Sequence, residues 1–193
     1  MHHQKSQEIM EILRQLPGIH SCRLYGSLAD GTGDRFSDID IELDVSGCDN
    51  GKFLLTLPVL LRQKMEIVYA DYAPSLAPDK YVVSLAIDRE NPFLLLDLQC
   101  TATPHCTSVT KQLLSAQNNE VTHTLKLWTA NLKHFLRGND CQADILRMAQ
   151  KIPIEAAESK SPQMLLNETL CWLEAHFDQP DFLSACRRAV PFS

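Results

Sequence analysis

Between residues 38 and 45 the chain reads Asp-Ile-Asp-Ile-Glu-Leu-Asp-Val, an acid and an aliphatic residue in strict alternation. Successive side chains of an extended strand point to opposite faces, so this pattern has the period of a strand. Ile39, Ile41, Leu43 and Val45 make one face, and Asp38, Asp40, Glu42 and Asp44 make the other. Whatever sheet forms around this segment has an apolar face for a core and a face lined with carboxylates.

The flanking sequence fills in the rest of the sheet. Ile9, Ile12, Leu13 and Leu16 recur at helical spacing, and Pro17-Gly18 ends that helix. A strand over Ile19 to Tyr25 runs into Gly26-Ser27, a short helix and a Gly- and Asp-rich loop. Residues 52–64 have the pattern of a helix, with Pro58 near the middle against it. Three further strands are expected over Glu66 to Tyr72, Tyr81 to Ile87 and Phe93 to Cys100, the last two joined as a hairpin through 88–92. After about residue 106 only helices are expected, over 109–117, 120–137, 140–150, 162–177 and 181–189. Sheet first and helices second is an α+β layout, and it divides the chain into residues 1–106 and 107–193.

A chain of 193 residues with 45% hydrophobic and 22% charged content can bury a core without disulfides or a structural metal. Eighteen basic against 24 acidic residues leave a net charge of −6, and no Lys/Arg run occurs. That balance argues against a nucleic-acid polymer as partner and suits a cationic one. Seven scattered Cys without a CxxC pair, no h-region and no long apolar stretch point to reduced thiols in the cytoplasm and to no membrane partner.

Two carboxylates at i and i+2 of a strand share a side, which places Asp38 and Asp40 together. Mg²⁺ takes hard oxygen ligands and is usually held by one or two carboxylates plus substrate phosphates. A two-metal site, with ions ~3.5–4 Å apart, suits such a pair. The same alternation also describes a solvated sheet face, so the context decides. Twelve residues before Asp38, Gly26 and Ser27 follow a strand and precede a short helix. A glycine lets backbone approach a phosphate, and a helix start presents free N–H donors and a favourable dipole. Asp97 is a lone acid in an otherwise apolar run, where an uncompensated charge is costly unless it is paired or metal-bound. Glu66 is the rival third acid.

Tyr25-Gly26-Ser27, ten intervening residues, then Asp38-Ile39-Asp40-Ile41 resembles the signature of the DNA polymerase β-type nucleotidyltransferase superfamily. The hairpin YVVSLAIDRENPFLLLDLQC is similar to the third-acid hairpin of small bacterial antibiotic adenylyltransferases. Within the superfamily the chain most resembles the aminoglycoside and lincosamide nucleotidyltransferases and the minimal nucleotidyltransferases. The resemblance implies a mixed sheet flanked by helices, and ATP or another NTP bound with Mg²⁺. The reaction it implies is transfer of a nucleoside monophosphate to a hydroxyl of a small-molecule acceptor. It would place the triphosphate on Gly26 and Ser27 and metal on Asp38 and Asp40, with Asp97 as third ligand, base, or both. Where many relatives have a basic residue after Gly-Ser this chain has Leu28-Ala29, and Arg35 in the same loop is the candidate replacement. Two other outcomes remain open: a minimal nucleotidyltransferase acting on a protein partner, and a nucleotide-binding regulatory module with little turnover.

Other residues carry less. Lys126, Lys133 and Arg137 fall near one helix face, expected to be solvated, and Trp128 and Trp172 are expected in a core. Cys100, His105 and Cys106 lack a fourth ligand at useful spacing for zinc.

Overall fold

In the computed structural model, which describes residues 2–73 and 77–190, the alternating segment is strand β2 (Ile39–Asp44). It sits between β1 (Ser21–Tyr25) and β5 (Leu95–Thr101), and the sheet continues through β4 (Tyr81–Ala86) to β3 (Tyr69–Ala73). Among the described residues only the β2–β5 pair is parallel. This is an open mixed sheet accompanied by helices, an α+β architecture.

The apolar side of β2 behaves as its pattern requires. Ile39, Ile41 and Leu43 are fully buried, together with Leu96 and Leu98 of β5 and Val83 and Leu85 of β4. Helices α1 (His2–Arg14) and α3 (Asn50–Arg62) pack on the sheet, α1 against β1 and β2, α3 against β4 and β5. Each such aliphatic side chain contributes ~1.5–3 kcal/mol on burial. A register slip of one residue would bury the acids in their place.

Helix α3 runs through Pro58 instead of stopping there. A proline inside a helix costs ~3 kcal/mol. Here Leu54, Leu57 and Leu61 are all fully buried on the same element, and that burial outweighs the lost hydrogen bond. The helix also starts two residues earlier than its periodicity predicts, because Asp49 caps it by accepting from the Lys52 N–H at 2.9 Å.

The third strand begins at Tyr69, not at Glu66, which lies exposed in the connection before it. The expected hairpin between the last two strands is present, with β4 and β5 antiparallel.

The chain divides into two compact units. The first comprises residues up to Asp88 together with Leu94–Asn118, and the second Arg89–Phe93 with the segment from Asn119 onward. The division falls after 118 and not at 106 because helix α4 (Lys111–Ser115) packs on β3 and α3. The second unit holds α5 (Glu120–Leu136), α6 (Gln142–Ala149), α7 (Pro162–His176) and α8 (Pro180–Ala189). Its core centres on Trp128, fully buried, whose indole N–H donates to the Leu166 carbonyl at 2.9 Å. Trp172 is only half-buried and stacks on His176, with ring centroids 4.4 Å apart. The expected solvated face of α5 is corrected at Lys133, which is 3% exposed. No helix among the described residues is long and apolar enough to cross a membrane.

Candidate functional site

The second face of the sheet carries the polar residues. Register places Tyr25 opposite Asp40, Asp40 opposite Asp97, Asp97 opposite Ser84, and Ser84 opposite Asp71. Directly opposed residues on neighbouring strands point to the same side, so these five form one row across the whole sheet. Adjacent strands lie ~4.8 Å apart, which brings the Asp40 and Asp97 carboxylates side by side. Both are half-buried, whereas Ser84 and Asp71 are buried. Two carboxylates far apart in sequence are neighbours only because β2 and β5 pair in parallel in this register.

The electrostatic consequence is visible at Tyr25. Its phenol is pushed up to about 12, first by burial and then by the negative charges of Asp40, Asp97 and Glu42. Ionising the phenol would bring another negative charge to a carboxylate-rich face.

Beyond Tyr25 the chain turns sharply into the four-residue helix α2 (Gly26–Ala29). Gly26 has φ +68°, and a Cβ built on it would stand 2.5 Å from Asp40 Oδ2. Glycine is required here on both counts, and the second count involves the acid itself. Tyr25, which precedes α2, makes no side-chain cap to its first N–H groups. The Ser27 carbonyl accepts from the Thr32 N–H at 3.0 Å. With a single turn, α2 offers those N–H groups but little of the macrodipole that a longer helix would provide.

The loop that follows is organised by Asp34. Its Oδ1 accepts from the Phe36 N–H at 2.9 Å and from the Ser37 hydroxyl at 3.0 Å. This seats Phe36 in a buried position, and the guanidinium of exposed Arg35 lies over its ring, 4.5 Å from the centroid. Asp38 is half-buried one residue ahead of β2, outside the hydrogen-bonded ladder.

Geometry therefore brings Gly26, Asp40 and Asp97 together, with Ser27 next in the chain and Asp38 just before the strand. Glu66 has no place in the row. Asp40 and Asp97 are a hard-oxygen donor pair of the kind Mg²⁺ accepts. Among the described residues no three His, Cys, Asp or Glu side chains converge as a ready-made metal cage. A divalent ion here would draw its remaining ligands from substrate oxygens and water. Cys100 is buried in β5, His105 stacks on Tyr81, and Cys106 is exposed.

The sequence reading missed what lies one step along the same face. Glu42 accepts from Arg23 Nε at 2.8 Å and Arg23 Nη2 at 2.7 Å, and from Gln99 Nε2 at 2.8 Å. Lys80 Nζ stands 3.9 Å from its other oxygen. The alternation marks Glu42 as an outward acid, but its three partners come from 19 to 57 residues away. Asp71 was equally hidden, as one acid in a short edge strand.

No protein-family model matches this chain, and no curated protein matches it by sequence. Among solved structures it is similar to the polymerase core of TRAMP, an RNA surveillance complex. That match has a TM-score of 0.44 and 14% identity over 91% of this chain and 58% of that one. It is also similar to a chain of the GLD-2/RNP-8 complex, with a TM-score of 0.42 and 12% identity over 89% of this chain and 77% of that one. The chain thus spans less than two thirds of the first of these proteins, and likeness at this level assigns neither a family nor an activity.

Proposed function

We propose that this chain is a metal-dependent nucleotidyltransferase of the DNA polymerase β type, moving a nucleoside monophosphate from an NTP to an acceptor hydroxyl. ATP is the expected donor, and the acceptor is a small molecule; the antibiotics modified by similar enzymes are one class to screen. The observation that carries the reading is the opposition of Asp40 and Asp97 on parallel strands, with the Gly26 backbone against the Asp40 carboxylate.

In this reading the first N–H groups of α2 and the Ser27 hydroxyl hold the β- and γ-phosphates. Mg²⁺ held by Asp40 and Asp97, with Asp38 joining them once substrate oxygens and water complete the shell, would neutralise charge on the phosphate oxygens. Asp97 takes the acceptor proton, and the acceptor oxygen forms a bond to the α-phosphorus. The bond from that phosphorus to the bridging oxygen breaks, and the electron pair leaves on pyrophosphate. Gly26 lets the turn close on Asp40, so donor phosphates and acid are positioned by one backbone feature.

A second reading, a nucleotide-binding module with little turnover, is favoured by the absence of a cation within α2 and by the Arg35 guanidinium lying over Phe36. Thermal unfolding with each NTP, with and without Mg²⁺, tests the proposal. A ligand at 100 times its Kd adds ~2.7 kcal/mol, a rise of roughly 5–10 °C at this size. The rise is expected with one NTP, to require Mg²⁺, and to vanish in an Asp38→Asn/Asp40→Asn variant. No rise with any NTP would reject it, whereas a rise without metal-dependent turnover would favour the second reading.

A further inference from the structure

The Glu42 cluster lies on the acid face, in the row next to Asp40 and Asp97. Arg23 pairs with Glu42 and Glu42 with Gln99, just as Tyr25, Asp40 and Asp97 pair one step away. Two residues along a strand span ~6.8 Å, so the cluster sits that far from the acids. It lies on the side away from Gly26, because β1 runs toward the turn and β2 away from it. Resting on the reading above, that side is where an acceptor lies when its hydroxyl is at Asp97 and the triphosphate is at the turn.

The charges are arranged to be used. Two cations share Glu42, so the cluster taken by itself carries one positive charge in excess; Asp40 and Asp97 in the next row carry two negative charges, which a bound divalent ion would offset. Glu42 is 18% exposed, whereas Arg23 is 71% exposed and Lys80 39%. Arg23 directs Nε and Nη2 at Glu42, and its Nη1 donors have no partner among the described residues. Gln99 fixes the carboxylate from the far side, so the guanidinium is held at one orientation rather than left to wander. A planar guanidinium held at one edge offers its other edge to a second anion.

We propose that Arg23 and Lys80, braced on Glu42 and Gln99, bind an anionic group of the acceptor, a phosphate or a carboxylate, about one residue pair along the sheet from Asp40 and Asp97. The acceptor class is then a hydroxyl compound that also carries a negative charge. A polycationic acceptor would meet Arg23 and Lys80 with like charge.

The test is a titration of the full chain with inorganic phosphate, followed in ¹H–¹⁵N spectra, for wild type, Arg23→Gln and Lys80→Gln. Both side chains are exposed enough that their replacement spares the fold, and either variant alone suffices. Saturable shifts of the Arg23 Nε–H and Gln99 amide signals are expected in wild type, with affinity at least fivefold weaker in each variant. Equal affinity in wild type and variants, or shifts confined to residues 26–29, would overturn the proposal. The Mg²⁺-dependent NTP shift is measured on the same samples and is expected to survive in both variants. Loss of that shift in wild type would defeat the nucleotidyltransferase reading and this inference with it. A normal NTP shift with an indifferent phosphate response would defeat only this one.

Discussion

At the scale of single residues, Gly26 and Asp40 form one unit. A methyl group at position 26 meets Asp40 Oδ2 at 2.5 Å, and the residue is also at positive φ. Gly31 has a similar φ, +71°, with nothing within 4 Å of its Cβ position. Alanine at either position incurs the left-handed backbone penalty of ~1–2 kcal/mol. Only Gly26→Ala must also displace a carboxylate. Denaturant unfolding is expected to show the larger loss for Gly26→Ala, and the Mg²⁺-dependent NTP shift is expected to vanish there while surviving in Gly31→Ala. Equal behaviour of the two variants would mean that the contact with Asp40 is immaterial. The glycine was legible in the sequence as part of a Gly-Ser turn, but its reason was not, since Asp40 is 14 positions away in the chain.

At the scale of elements, Asp49 shows how one side chain ties two segments together. Its carboxylate accepts from the Lys52 N–H at the start of α3 and from the Ser108 N–H at 2.7 Å. Its pKa is held below the usual carboxylate range, first by the Ser108 side chain and further by these N–H groups. A folded-state pKa below the unfolded value means stability that is present above ~pH 4 and lost as pH falls through the folded pKa. Asp49→Ala is expected to cost ~1 kcal/mol at neutral pH, as for other N-caps. The gap between variant and wild type in denaturant midpoint is expected to close at acid pH. A gap that persisted there would show that the carboxylate charge is not the active feature. The cap residue was readable as an Asp ahead of a helix, although the periodicity placed that start at 52. Ser108 was not readable, because it arrives from another part of the fold.

At the scale of the whole molecule, net charge and local charge disagree. The chain carries a formal −6, which by itself points to cationic partners, yet the acid face places Arg23 and Lys80 beside the candidate centre. Exposed charges act over a Debye length of ~10 Å at 0.1 M salt, so an acceptor feels the local pair more than the average. Phosphate binding at Arg23 and Lys80 is expected to weaken severalfold between about 50 mM and about 500 mM salt. The unfolding midpoint is expected to move little over the same range, since Ile39, Ile41, Leu43, Leu96 and Leu98 are uncharged and fully buried. Salt-insensitive phosphate binding would place the anion in a buried site elsewhere.

The periods are legible in the chain of residues: which face of β2 is apolar, which is acidic, where the helices of the second half fall, and that Asp97 is an anomaly in its strand. Such features are local, because alternation and amphipathicity are properties of consecutive residues. Partnership between distant residues comes from packing. Packing set Asp97 opposite Asp40 and left Glu66 outside the row; it carried α3 through Pro58 and gave Glu42 its three partners. Strand register joins residues tens of positions apart, and it is set by how the apolar faces pack together, which no window of the chain contains.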